Sequence, residues 1–125
     1  MSNVVFDTSA VLAILKGERI AMEQLPNIRW ATLSAVNAAE VWTKLADLDE
    51  AAQQAGGLLM KLIRNIEPFT EAQARRAGEL RKLGKDVSLG DRACLALAME
   101  LAAEVYTADR AWAEFNVGCR IHLIR

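Results

Sequence analysis

Four carboxylates, Asp7, Glu40, Asp91 and Asp109, lie far apart in the chain but at places from which they could meet. Asp7 directly follows the apolar run Val4-Val5-Phe6, and Asp109 follows Val105-Tyr106-Thr107-Ala108. Asp91 falls in the first turn of an otherwise apolar helical stretch, Leu89 to Leu101, and Glu40 lies mid-helix in Asn37-Ala38-Ala39-Glu40-Val41-Trp42. Two carboxylates about 4 Å apart repel by roughly 4 kcal/mol at an effective dielectric of about 20. Left alone, one of them takes up a proton. A divalent cation removes the repulsion. Mg²⁺ prefers oxygen ligands and keeps several waters, so a few carboxylates suffice. Such an ion lowers the pKa of water and steadies charge on a phosphoryl oxygen, and two of them about 4 Å apart would clamp the attacking and leaving oxygens of an in-line displacement. No Ser-His or Cys-His pair stands near the acids, which favours metal-assisted hydrolysis over covalent catalysis. The single histidine, His122, lies between Ile121 and Leu123 and reads as an ordinary strand residue.

The elements that must position these acids follow from periodicity and breakers. Asn3 to Phe6 reads as a buried strand, Ala10 to Leu15 as a helix, and Glu18 to Leu25 as a short helical piece ending at Pro26. Ile28 to Thr32 is a second strand candidate. Ser34 opens a helix to about Leu48, and Glu50 to Arg64 forms another. Asn65 to Phe69 reads as a strand around Ile66. Thr70 caps a helix from Glu71 to about Leu83, ended by Gly84. Ser88 opens an apolar helix to Ala103. Val105 to Thr107 is a strand, Arg110 to Phe115 a short helix, and Arg120 to Ile124 a last strand. Strands alternating with helices predict a parallel sheet covered on both faces. Ligands of such sheets bind beyond the carboxyl ends of the strands.

Each acid also has a purely structural role open to it. Asp7 and Asp109 could cap the helices that follow them. Ser88-Leu89-Gly90-Asp91 fits a capping box. Glu40 could be solvated: it lies about 200° from Ala38 around a helix, off the face shared by Ala38, Val41, Trp42 and Leu45, with Asn37 as its surface neighbour. Four acids at one predicted sheet edge are nevertheless a costly way to cap helices.

Composition narrows the classes. The chain has 125 residues, 53% of them hydrophobic, which predicts one domain, residues 1–125, with a core of its own. Lys plus Arg number 15 and Asp plus Glu 16, a net charge of −1, so bulk charge would not bind nucleic acid and any such binding needs a local patch. Two cysteines make neither a disulfide framework nor a four-ligand zinc site, and Cys94 reads as core. No signal peptide and no run of about 18 apolar residues is present, which predicts a cytoplasmic protein with no membrane contact.

Val4-Val5-Phe6-Asp7-Thr8-Ser9-Ala10, Asn37-Ala38-Ala39-Glu40-Val41, Leu89-Gly90-Asp91-Arg92-Ala93-Cys94-Leu95-Ala96-Leu97-Ala98 and Tyr106-Thr107-Ala108-Asp109-Arg110-Ala111-Trp112 resemble, in this order, the four motif blocks of PIN-domain ribonucleases. The nearest branch is the VapC-like toxins of toxin–antitoxin pairs. The resemblance implies a three-layer α/β/α sandwich with a short, mostly parallel sheet. It implies an endoribonuclease dependent on Mg²⁺ or Mn²⁺, hydrolysing RNA phosphodiester bonds. Asp7, Glu40 and Asp91 would be the main catalytic and metal-site acids, and Asp109 a fourth acting through water. Thr8 and Thr107 would orient acids or waters, and Asn37 would support Glu40. A homodimer and a cognate antitoxin that covers the site are also implied. The apolar faces around Trp42 and Leu58 to Leu62 fit a need for partner burial.

Gly90 suits close approach of backbone to a ligand. Arg92 and Arg110 are candidates for RNA contact. Arg75, Arg76, Arg81, Lys82 and Lys85 could extend a positive rim, although Glu71, Arg75 and Glu79 also fit a solvated ladder. Trp30, Trp42 and Trp112 could stack bases, but burial is expected of all three. Two readings from other classes compete: a phosphoacceptor signalling domain using Mg²⁺, and a non-catalytic module whose acids bind a basic partner. The first wants an acid pair after the first strand and a lysine after a late one, and the final strand has no lysine.

Overall fold

A computed structural model describes residues 4–125; Asn3, expected to start the first strand, lies outside them. Among the described residues five strands form one sheet: β1 (Val4–Phe6), β2 (Ala31–Ser34), β3 (Asn65–Glu67), β4 (Glu104–Thr107) and β5 (Ile121–Leu123). Their spatial order is β3-β2-β1-β4-β5, and every pairing is parallel. Val5 of β1 pairs with Thr32 on one side and Val105 on the other. The chain order reverses between β1 and β4, so a cleft opens beyond the ends of those two strands.

Among the described residues six α-helices cover the sheet: α1 (Thr8–Leu15), α2 (Arg19–Met22), α3 (Ala35–Ala46), α4 (Glu50–Leu62), α5 (Glu71–Glu79) and α6 (Leu89–Leu101). Successive strand side chains point to opposite faces. Accordingly Phe6 packs with Val11, Leu33, Val41 and Leu45 in one core, while Val5 packs with Leu95, Leu97, Val105 and Trp112 in the other. Two cores on either side of one sheet give the expected three-layer α/β/α arrangement.

The strand expected over Ile28 to Thr32 is displaced. Leu25–Trp30 is a 3₁₀ turn with Pro26 at its start, and the strand begins at Ala31. Pro26 pre-sets a helical first turn, and buried Ile28 anchors that turn rather than a strand. The helix expected to run to Leu83 ends as α5 at Glu79 and tightens into a 3₁₀ turn, Leu80–Leu83. Arg110–Glu114 is likewise a 3₁₀ turn. Of the tryptophans only Trp112 is buried; Trp30 and Trp42 are 42% and 50% exposed, contrary to expectation. Trp42 shares the rim, not the floor, of the face made by Ala38, Val41 and Leu45. No helix among the described residues is long and apolar enough to cross a membrane.

Candidate active site

Asp7 continues β1 by one residue, its N–H donating to the carbonyl of Tyr106 on β4 at 3.1 Å. It then caps α1, its Oδ1 accepting from the N–H of Ala10 at 2.8 Å. The side chain is 3% exposed. Thr107 Oγ1 donates to its Oδ2 at 2.6 Å, and Ser9 Oγ lies 2.8 Å from both oxygens. Each hydroxyl is an acceptor as well. Ser9 Oγ accepts from the N–H of Ala108 at 2.9 Å, and Thr107 Oγ1 from the N–H of Asp109 at 3.0 Å. Both therefore turn their protons to Asp7. An ionised carboxylate offers about four acceptor positions; three donors leave one for an ion or water.

Burial pushes the Asp7 carboxyl up to about 6, against the lowering effect of the bonds from Thr107, Ala10 and Ser9, and the charge of Asp91 adds to the rise. Asp91 closes the capping box with Ser88: its N–H donates to Ser88 Oγ, and its Oδ2 accepts from the N–H of Ser88, both at 3.1 Å. Its pKa is raised, first by burial, and further by the charges of Asp109 and Glu40. Asp91 thus shares one electrostatic field with the other three acids.

Glu40 is not solvated. Its Oε1 accepts from Thr8 Oγ1 at 2.6 Å and from Asn37 Nδ2 at 3.0 Å. Asn37 is buried and donates also to the carbonyl of Gly90 at 3.0 Å, tying α3 to the first turn of α6. Its Oδ1 is buried without a partner among the described residues. A Cβ at Gly90 would overlap the carboxylate of Glu40, so the glycine makes room for that side chain rather than for a ligand directly. Asp109 caps the Arg110–Glu114 turn through a bond from the N–H of Ala111 to Oδ1 at 3.0 Å, and is exposed.

Among the described residues, no three carboxylates converge closely enough to cage a cation in this conformation. The donor set still suits a hard divalent cation: the charge of Asp91 raises the proton affinity of Asp7, those of Asp109 and Glu40 raise that of Asp91, and Asp7 keeps an acceptor position. An ion that retains most of its water needs only one or two direct carboxylates.

Ser9, which the sequence reading assigned no role, is the hub of the Asp7 network. Its signal was the hydroxyl pair directly after a strand-end acid. Arg92 gives its Nε to the carbonyl of Val87 and its Nη1 to that of Ala77. Arg110 instead lines an open hollow with Ser9, Ala108 and Asp109. Arg75 pairs with Glu71 and Arg76 with Glu79 on the exposed face of α5, the solvated-ladder alternative. His122 lies against the ring of Tyr106 with Nε2 3.3 Å from Glu104, as a strand residue. Cys94 is buried, and burial together with the charges of Asp7 and Asp91 drives its thiol pKa up, away from nucleophilic use.

The family model described as PIN domain matches residues 4–117. No curated protein sequence matches the chain. Among solved structures, one from a toxin–antitoxin complex of Klebsiella pneumoniae is 21% identical with a TM-score of 0.77, over 98% of each chain. FitAcB from Neisseria gonorrhoeae is 19% identical with a TM-score of 0.76, over 97% of each chain. VapC20 of Mycobacterium tuberculosis, described as a sarcin-ricin loop cleaving toxin, is 18% identical with a TM-score of 0.68, over 92% of this chain and 98% of its own. At these identities the likeness is one of fold.

Proposed function

The chain belongs to the PIN-domain family, and on that premise we propose that it is a metal-dependent endoribonuclease, the toxin of a toxin–antitoxin pair. The observation that carries this reading is the placement of Asp7. It is a buried carboxylate at the β1/β4 reversal, held by three donors and sharing the field of Asp91, which in turn feels Glu40 and Asp109.

Asp7, Glu40 and Asp91 would hold Mg²⁺ or Mn²⁺, with Asp109 reaching it through water. When bound, the ion acidifies a water and offsets charge on the phosphoryl oxygen. The residues of the chain supply orientation. Ser9, Thr107 and the N–H of Ala10 fix both oxygens of Asp7. Thr8 and Asn37 hold Glu40 toward Gly90. Asp109, exposed at the rim with Oδ1 engaged by Ala111, offers Oδ2 to the attacking water and takes its proton. The water oxygen bonds to phosphorus as the bond to the 3′ oxygen breaks, leaving a 5′-phosphate and a 3′-hydroxyl that takes a proton from solvent. Arg110, beside Asp109, contacts the RNA backbone; Arg92 has only its remaining donors for such a role. The protein acts in the cytoplasm as a single-domain homodimer whose antitoxin covers the acids. Trp42, Leu58 and Leu62, each about half exposed or more, support partner burial on α3 and α4.

RNA ends sequenced after induction of the protein beside Asp7→Asn test the reading. New 5′-phosphate ends should occur only with the active form, and Asp91→Asn should abolish them too. Full cleavage by either variant, or cleavage undiminished in excess EDTA, refutes it.

A further inference from the structure

An open hollow of about 510 Å³ beside the acids is lined by Ser9, Ala108, Asp109, Arg110 and Arg125. A second, of about 380 Å³, shares Arg110 and Arg125 and adds Glu18. Arg110 and Arg125 thus line both hollows, one of them beside Asp109. Arg125 is oriented. Its Nη2 donates to Glu18 Oε1 at 2.7 Å and its Nε to Glu18 Oε2 at 3.2 Å, a fork on one carboxylate.

Both ends of that clamp are tied to the supports of Asp7. The N–H of Glu18 donates to the carbonyl of Ala13 at the end of α1, the helix that Asp7 caps. The N–H of Ile124 donates to the carbonyl of Thr107 at 2.9 Å. The fork uses two of the five guanidinium donors and leaves three. The two bonds of the fork fix the plane of the guanidinium and so the directions of those three donors. Asp109 adds to the rise in the Arg125 pKa behind Glu18, which places the guanidinium within the field of the acids.

We propose that Arg125, held by Glu18, forms with Arg110 a subsite for the RNA phosphate adjacent to the one at the acids. The inference rests on the nuclease reading. A cluster of acids repels a polyanion, and a planar guanidinium fork next to it restores attraction with a geometry that matches phosphate oxygens.

The test is anisotropy of a labelled single-stranded oligoribonucleotide with the full chain in EDTA, so that cleavage and metal play no part. Arg125→Ala should weaken binding about tenfold at low salt and reduce the salt slope by about 0.7 per lost phosphate contact. Arg125→Lys should keep the slope but only part of the affinity. Glu18→Gln is the decisive variant. Removing a negative charge should tighten binding if bulk charge alone matters; loss of the clamp should weaken it at least twofold. Wild-type binding that is normal while Arg125→Ala matches it, or Glu18→Gln binds tighter, overturns the subsite alone. No binding by the wild type at any salt overturns the subsite, while the nuclease reading is judged separately by cleavage of the same RNA in Mn²⁺.

Discussion

Replacing Gly90 with alanine should damage the acid site while sparing the fold. An ideal Cβ there would stand 2.6 Å from Cδ of Glu40 and closer still to its oxygens. The carboxylate is the free end of a flexible side chain, so it moves and the backbone does not. Moving it breaks the bonds from Thr8 and Asn37. Bonds to a charged group are worth about 1.5–3 kcal/mol each, but Glu40 and Thr8 regain water on release. Alanine in a helix returns up to about 1 kcal/mol over glycine. The net loss of stability should be about 1–2 kcal/mol. Metal binding should suffer more, since disturbing a ligand's supports costs about 10- to 100-fold in affinity. An ion at 100 times its Kd stabilises by about 2.7 kcal/mol; at a hundredfold weaker Kd the same concentration gives only about 0.4 kcal/mol. In a chain of this length that is a fall in the Mn²⁺-induced Tm shift from roughly 10 °C to 1–2 °C. Thermal melts with and without Mn²⁺, beside an RNA cleavage assay, read both quantities. A Gly90→Ala protein with the full Mn²⁺ shift and wild-type cleavage would refute the assignment of Glu40.

The raised Asp7 pKa also sets a pH dependence. Its folded value of about 6 lies above its ordinary 3.8, so the native state binds more protons between them, and the metal-free protein should lose up to roughly 3 kcal/mol as pH rises from about 4 to 6. Denaturant titrations in EDTA check this, and stability rising over that window contradicts it. Thr107→Val removes a donor to Asp7 and the acceptor of the Asp109 N–H; it should cost about 1–3 kcal/mol and push the Asp7 pKa higher, with Thr107→Ser restoring both. Ala102 ends α6 in the left-handed region at φ 50°. Ala102→Gly should therefore raise stability by about 1 kcal/mol without altering cleavage, as a melt and an activity assay would show.

What could be read from the sequence was local. The run Val4-Val5-Phe6 announced a strand buried on both faces, and Ser34, Thr70 and Ser88 each cap the helix expected of them. The pairing of Asn37 with Glu40 follows from helical spacing. What could not be read depends on contacts between distant segments. The bond from Thr8 to Glu40 spans 32 residues, and that from Thr107 to Asp7 spans 100. Ser9 gains its role only because Ala108 arrives to fill its acceptor. Arg92 looked free for RNA because nothing in its neighbourhood shows that the carbonyl of Ala77 lies within its reach. Trp42 fell on an apolar helical face, yet how far that face is covered is decided by where α4 packs. β3, at one edge of the sheet, is exposed throughout, whereas β5 at the other edge is partly covered.

Capping and chemistry are not rival explanations of these acids. Asp7 and Asp109 do cap α1 and the turn after β4, and Asp91 closes the capping box that Ser88 opens on α6; each of these bonds engages an oxygen and fixes the side chain. A cap alone, however, needs no charge: serine or asparagine serves about as well as aspartate. Here the charge is a burden, since burial and like-charged neighbours outweigh the capping bonds and raise the pKa of both Asp7 and Asp91. Asp7→Asn keeps an acceptor for the N–H of Ala10 and lets the Ser9 and Thr107 hydroxyls turn. It should therefore make the metal-free protein more stable at pH 7, by part of that same roughly 3 kcal/mol, while abolishing cleavage. A scaffold residue should lose stability on such a change, so an Asp7→Asn protein less stable than the wild type in EDTA at pH 7 would show that this carboxylate is held for the fold.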